Sequence, residues 1–390
     1  MKYDPIWKTK YFLKLSDMTG KKKVLFWRSV TFLKIVIMCA ETTYACKNLK
    51  HPKKLVILIA TYPIRIMAIW KLIHLYFDKK RVENLFSNVS KDFWDFHIAG
   101  PTLEKKVRRR FFLTNLFVLF HVSLCTICVT FFVFYNMTQM PTGKRRLPNL
   151  IWTPFDTDPS PLHEILFLLL LWNLYLSIYG NLFYDMLFVY CVQHLYIQFM
   201  LLKELLKNIS QDIMDDESDV EKFNSDYFQK KVMERLKICA NHHSKLLRYG
   251  KNIEDFCKSV LAPQLIMSFA ILVINGYNLT AEHNDISKTL MLINLTGSSF
   301  VQLAVYALQA TDLRDQSLSI LDSVIECKWY LFRSPLKRAL VFMLMNAEKG
   351  IAINAAGMAT VDNPLLVDII QKAFSSVTLL QAFINEDTQK

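Results

Sequence analysis

A hydrocarbon layer about 30 Å thick takes roughly 20 helical residues to cross, and inside it every backbone N–H and C=O must bond within its own segment. Seven stretches of this sequence meet that demand: 24–46, 55–77, 111–137, 165–202, 260–277, 290–310 and 365–383. The chain is therefore expected to be an all-α polytopic membrane protein with seven transmembrane helices. The fourth is too long for the bilayer alone. Composition agrees, since 52% of the 390 residues are apolar and only 21% charged. A soluble core cannot hide such an excess, because most of a folded surface still faces its surroundings. With 9 Gly and 12 Pro, fibrous and low-complexity chains are excluded, and the apolar content excludes a disordered one.

Charge sets the expected topology. The 47 Lys and Arg outnumber the 34 Asp and Glu, but they bracket the apolar runs instead of forming one patch. Membrane orientation, and not nucleic acid, accounts for the excess. With the N-terminus inside, roughly 33 basic residues fall on the cytoplasmic side and about 9 outside. The expected order is a cytoplasmic N-terminal segment (1–23), then spans one to four (24–202) with an extracellular loop at 139–164. A cytoplasmic helical extension (203–256), spans five and six (257–310), cytoplasmic anchor helices (311–349), and a last span with an extracellular C-terminus (350–390) follow. The opening lysines, Lys2, Lys8, Lys10, Lys14 and Lys21 to Lys23, precede no cleavable apolar stretch, so no signal peptide is read there. Sequons at Asn136 and Asn278 fall at extracellular span ends on this topology.

Residues 203–256 mix apolar positions at three-and-four spacing with heavy charge, as helices continuing past a bilayer do. Asp212, Asp215, Asp216, Glu217 and Asp219 read as an exposed turn between them. The anchor reads as an amphipathic helix pair broken near Arg333-Ser334-Pro335, with Leu318, Leu321, Val324, Ile325, Trp329, Phe332, Leu336 and Leu340 as buried positions. A second break is expected from Gly350 to Gly357. No internal repeat of the secondary-transporter kind is seen.

Walker, GxGxxG, HExxH and GxSxG signatures do not occur, so neither an enzyme nor a cofactor is expected. His242-His243 point in different directions on a helix and read as interhelical or solvated, not as metal ligands. Cys125-xx-Cys128 lies in an apolar span without a second pair and reads as small core residues. Five of the eight cysteines sit within or at the ends of apolar runs, which argues against a disulfide framework. Charges inside the spans carry more weight, because each is costly there. Arg65, near the middle of span two, should face protein or a water-filled cavity. Lys71, nearer the cytoplasmic end, is expected to snorkel. Asp368 and Lys372, one turn apart, either pair or meet passing ions if the last span lines a pore. Large side chains also recur at helical spacing in the outer halves: Tyr62 and Ile66, Phe132 and Tyr135, and Trp172, Tyr175 and Tyr179. Such a stripe is either ordinary core or one wall of a concave apolar pocket for a small molecule, and spacing leaves both readings open.

The stretch Leu147-Pro148-Asn149-Leu150-Ile151-Trp152-Thr153-Pro154-Phe155-Asp156, followed by Ser160-Pro161 and Leu166, resembles the second extracellular loop of insect odorant receptors. The block from His243 through Leu246-Leu247 to Ile253-Glu254-Asp255-Phe256 is similar to that family's approach to span five. Trp329-Tyr330, Lys337-Arg338, Met345-Asn346-Ala347, the break ending at Gly357, and Thr378-Leu379-Leu380 follow in the family's order. Ala373-Phe374-Ser375 departs from it, standing where the family usually has Ser-Tyr-Ser.

The resemblance implies an odorant-gated, nonselective cation channel in the plasma membrane of olfactory neuron dendrites, lipid-embedded and passing monovalent and divalent cations. It implies a heterotetramer with a shared co-receptor. That co-receptor has a longer second intracellular loop than 203–256 supplies, so this chain resembles a ligand-tuning subunit. A small volatile would bind in the outer half, against the stripe residues. By position in the motif, Leu379 would be the gate, with Ser375 and Thr378 lining the pore. The alternatives are a gustatory-type receptor, whose last-span Thr-Tyr and Gln-Phe signature is not seen here, and a polytopic transporter.

Overall fold

Backbone groups that lie among apolar side chains must bond to one another, and each of the seven apolar runs accordingly lies in a helix. In the computed structural model, which describes residues 21–50, 52–138, 147–281 and 286–388, the order begins α1 (Lys21–Lys47), α2 (Pro52–Phe77), α3 (Lys79–Lys91), α4 (Pro101–Thr138) and α5 (Leu162–Lys207). It continues through α6 (Asp219–Asn224), α7 (Asp226–Ala281), α8 (Ile286–Leu318), α9 (Ile320–Glu326) and α10 (Ser334–Ala347) to a two-stranded hairpin, β1 (Asn354–Ala355) with β2 (Ala359–Thr360), and α11 (Asn363–Thr388). Seven helices among the described residues are long and apolar enough to cross a membrane.

Two rods organise the rest. At 1.5 Å per residue, the 46 residues of α5 and the 56 of α7 extend about 69 and 84 Å, more than twice the hydrocarbon thickness. From Gly180 to Gln193 every residue of α5 is buried: its apolar side chains point in all directions and need neighbours all round, and Asn181, Asp185 and Gln193 are bonded to those neighbours. α2, α4, α7 and α8 supply them. α11 packs against α7 and α8 through Ile369, Ala373 and Val377, spaced at one helical turn. Where α7 and α11 cross, a Cβ on Gly276 would stand 2.9 Å from Val377.

At one end of the bundle the long rods meet α3, α9, α10 and the hairpin in a helical layer. Gln229 fastens it: its Nε2 donates to the Leu331 carbonyl at 2.9 Å, while its Oε1 accepts from Arg333 N at 3.0 Å. Lys207 pairs with Glu326 at 2.8 Å. Trp94 and Gln198 exchange two bonds of 2.9 Å, and His242 stacks on Trp94 at 3.6 Å while bonding Gln198. His242 and His243 are thus interhelical; burial pushes both imidazoles down to about 4. The acidic stretch turns at Asp212 and Met214, both with positive φ, and Gly350 and Gly357 take left-handed conformations at the second break.

Three expectations need correction. Lys71 does not snorkel; it is fully buried, for reasons given below. Ile325 and Trp329 are 69% and 46% exposed. Ile325 stands about 100° round α9 from the buried Val324 and faces outward, while Trp329 lies beyond the end of α9 at Glu326, where the helical spacing is interrupted; Val324, Phe332, Leu336 and Leu340 are buried.

Candidate functional site

Two buried ion pairs mark the middle of the bundle. Lys71 on α2 donates to Asp185 on α5 at 2.7 Å, and neither side chain has any exposed surface. Tyr306 and Gln302 of α8 also donate to Asp185, the latter at 2.7 Å, and His121 of α4 lies 3.8 Å away. Four helices converge on one carboxylate. Nearer the other end, Arg65 on α2 pairs with Glu41 on α1, which is 1% exposed. The same Glu41 oxygen accepts from Asn149 Nδ2 at 2.9 Å.

Asn149 belongs to the loop after α4, and that loop is drawn into the helices. Pro148 and Asn149 are buried, Trp152 N donates to the Ala40 carbonyl at 3.1 Å, and the Lys47 ammonium lies 3.8 Å over the Trp152 ring. The loop thereby closes a void of about 60 Å³ between α2, α4, α5 and α8. Its walls are mostly apolar, including Ile64, Val129, Phe132, Leu174, Ile178 and Leu295, with Arg65, Asn149 and Asn173 among the polar residues that line it. A second void of about 60 Å³ lies deeper and shares Ile64, Cys128, Ile178 and Leu295 as walls. It reaches His121, Asp185, Gln264 and Gln302 and is the more polar of the two.

Of the stripe residues, Phe132 lines the upper void. Tyr62 points toward α1, its hydroxyl 2.6 Å from Thr42 Oγ1, and Ile66 is half-buried. Trp172 is 57% exposed, and Tyr175 and Tyr179 stack on each other with centroids 6.4 Å apart. The side chain of Tyr135 lies outside the described residues. The void is faced instead by positions one place from the stripe on each helix: Thr61 and Arg65 on α2, and Asn173, Leu174 and Ile178 on α5. A step of one residue turns a helix by about 100°, so adjacent positions face different neighbours.

On α11, Leu379 is 57% exposed, and Ser375 and Thr378 share its outward side. Their hydroxyls donate to backbone carbonyls of their own helix, Gln371 O at 3.0 Å and Ser375 O at 2.9 Å. Asp368 and Lys372 pair at 2.7 Å on the surface. Among the described residues no group of His, Cys, Asp and Glu could hold a metal ion. Sequence reasoning picked out the cations of α2 but not their partners. Glu41 and Asp185 each stand alone in an apolar run, and that isolation was the available signal.

A family model described as 7tm odorant receptor matches residues 56–374. Odorant receptor 13a of Drosophila melanogaster is 20% identical over 337 residues, covering 82% of this chain and 78% of that protein. Odorant receptor Or2 of Anopheles gambiae is 18% identical over 317 residues, 80% of each chain. The olfactory receptor OR5 of Machilis hrabei superposes with a TM-score of 0.80 over 96% of this chain and 97% of its own, at 14% identity. The same receptor in complex with eugenol gives 0.81 over 97% of each, at 13% identity.

Proposed function

The chain belongs to the 7tm odorant receptor family, and from that premise we propose that it is the ligand-tuning subunit of a heteromeric, ligand-gated, nonselective cation channel. The observation that carries this reading is the void beside the 147–152 loop, mostly apolar, with Arg65, Asn149 and Asn173 in its wall. A concave, largely apolar space with a few convergent polar groups is what a small neutral molecule needs. The eugenol complex of the Machilis receptor supports a small organic ligand, which would enter this void of about 60 Å³ as its walls move apart. A volatile of about ten heavy atoms gains at best about 0.3 to 1.5 kcal/mol per atom, so micromolar binding is within reach without a charged partner.

Binding in the outer half would open a pore bordered by α11. The support is its face away from the bundle, where Leu379 is 57% exposed and the neighbouring hydroxyls already bond their own backbone. A ring of such apolar side chains closes a pore by dewetting, and a small outward movement rewets it. Assembly with a co-receptor in a tetramer is supported by the exposed apolar side chains of the anchor, including Ile325, Trp329, Tyr330, Val341, Phe342 and Met345. On the proposed topology these face cytoplasm and not lipid, so a neighbouring subunit is needed to cover them.

The test is expression alone and with the co-receptor. Ligand-evoked cation current from the pair only, with potency lowered by Phe132→Ala and by Leu174→Ala, is the expected result. Unchanged potency in both variants would remove the pocket from the mechanism, and substrate flux without conductance would favour a transporter.

A further inference from the structure

The rim of the upper void carries more information than its apolar walls. Glu41 is an acceptor-only group, and its Oε1 is held by Arg65 Nη1 and Asn149 Nδ2. This fixes the Asn149 amide: its nitrogen must face the carboxylate, so its oxygen must face elsewhere. Asn149 lines the void and is 4% exposed, and its Oδ1 has no hydrogen-bond partner among the described residues. Asn173 Oδ1, on the same void, and Glu41 Oε2, just behind it, are likewise buried acceptors without a donor. Arg65 stands beside them in the wall. Its guanidinium has five N–H donors, and the Glu41 bond occupies one. One side of the void thus offers a fixed acceptor and a donor, with the charges of Arg65 and Glu41 already balanced.

We propose that this rim selects a hydroxyl group, so that the ligand class is a neutral alcohol or phenol. This rests on the receptor reading above. A hydroxyl is the smallest group that can do both things at once, donating to Asn149 Oδ1 and accepting from Arg65. An ether, ester or ketone accepts from Arg65 but leaves the Asn149 oxygen buried and unpaired, a cost comparable to a lost buried hydrogen bond. A carboxylate gives up its hydration for a wall whose Arg65 is already bonded to Glu41 and whose neighbouring Lys34 is already bonded to Ser177 Oγ and the Asn173 carbonyl, and it leaves the Asn149 oxygen without a donor. The aliphatic or aromatic remainder lies against Phe132, Leu174, Ile178 and Leu295.

The experiment measures evoked current from the co-expressed pair with two matched sets: hexanol, hexanal, methyl pentyl ether and hexanoate, and benzyl alcohol, benzaldehyde, methyl phenyl ether and benzoate. In at least one set the alcohol is expected to be about 10-fold or more as potent as its ether and aldehyde, with the carboxylate silent. Asn149→Leu should erase that preference: whatever current remains, the alcohol loses its advantage and the ether and aldehyde match it in potency. Asn149→Val is the second variant if the first does not reach the surface, and the unmodified receptor's ranking needs neither. Equal potency across alcohol, ether and aldehyde overturns the inference and leaves the receptor reading standing. So does silence to both sets when other volatiles evoke current. Silence to every volatile in a broad panel, with both subunits at the cell surface, overturns the receptor reading itself.

Discussion

Lys71 ends its side chain between Asp185 and the rings of Tyr184 and Tyr306, each centroid 5.7 Å from the ammonium. Its charge is tolerable there only because the carboxylate is present, and the reverse holds for Asp185. Removing one partner should therefore cost far more than removing both: about 3–5 kcal/mol for Lys71→Ala or Asp185→Asn alone, and much less for Lys71→Met with Asp185→Leu. Thermal unfolding of the detergent-solubilised assembly reads this directly. A double variant no more stable than the singles would show that charge compensation is not what the pair supplies. The same pair shows what sequence can and cannot reveal about residues. A lysine inside an apolar run is visible, and its distance from the span end suggested that it would reach water. Its partner lies 114 positions away on another helix, and only the packed bundle brings the two together. Glu41 and Arg65, 24 positions apart, teach the same lesson across the α1–α2 turn.

Helices are the most legible level of this molecule, because length and hydropathy alone define them, whereas their orientation about their own axes is not. In a soluble helix the apolar stripe points inward, but a membrane helix can turn apolar side chains toward lipid and toward protein alike. The stripe Trp172, Tyr175, Tyr179 therefore looked as suitable a wall as any, although Asn173 and Ser177 beside it are the buried positions that meet the void. Small or polar residues inside a span are the better guide to its inward face. Glycine shows this where elements cross. A Cβ on Gly250 of α7 would lie 2.6 Å from Ile351, just before the hairpin. Gly250→Leu should push that segment off the rod and lower stability by about 1–3 kcal/mol, read as a reduced melting temperature of the assembled pair. Since Gly250 lies in the anchor layer and not at the void, surviving channels should keep the order of ligand potencies. A reordered ligand series would mean that anchor and pocket are one mechanical unit.

At the scale of the whole molecule, the proposed channel would have binding and conduction in separate places that share one equilibrium. The void lies among α2, α4, α5 and α8, while Leu379 stands on α11, which reaches the core through α7 and α8. α8 touches both, so a ligand that moves its 291–295 stretch acts on the helix that also carries α11. Moving a channel from 1:99 to 99:1 open requires about 5.5 kcal/mol of differential affinity across the assembly. One weak site supplies a fraction of that, so on the proposed reading the closed state would be shallow and an apolar ring at Leu379 only marginally dry. Leu379→Ser tests this depth. A hydroxyl in place of the isobutyl group widens and wets the constriction, and the co-expressed pair should pass measurable cation current at rest, with a smaller further increase on adding ligand. Leu380→Ser, a position 39% exposed on an adjoining face, serves as the comparison and should leave the resting current near its ordinary level. If Leu379→Ser is closed at rest and conducts normally when stimulated, this chain contributes no side chain to the constriction, and gating belongs to its partners alone.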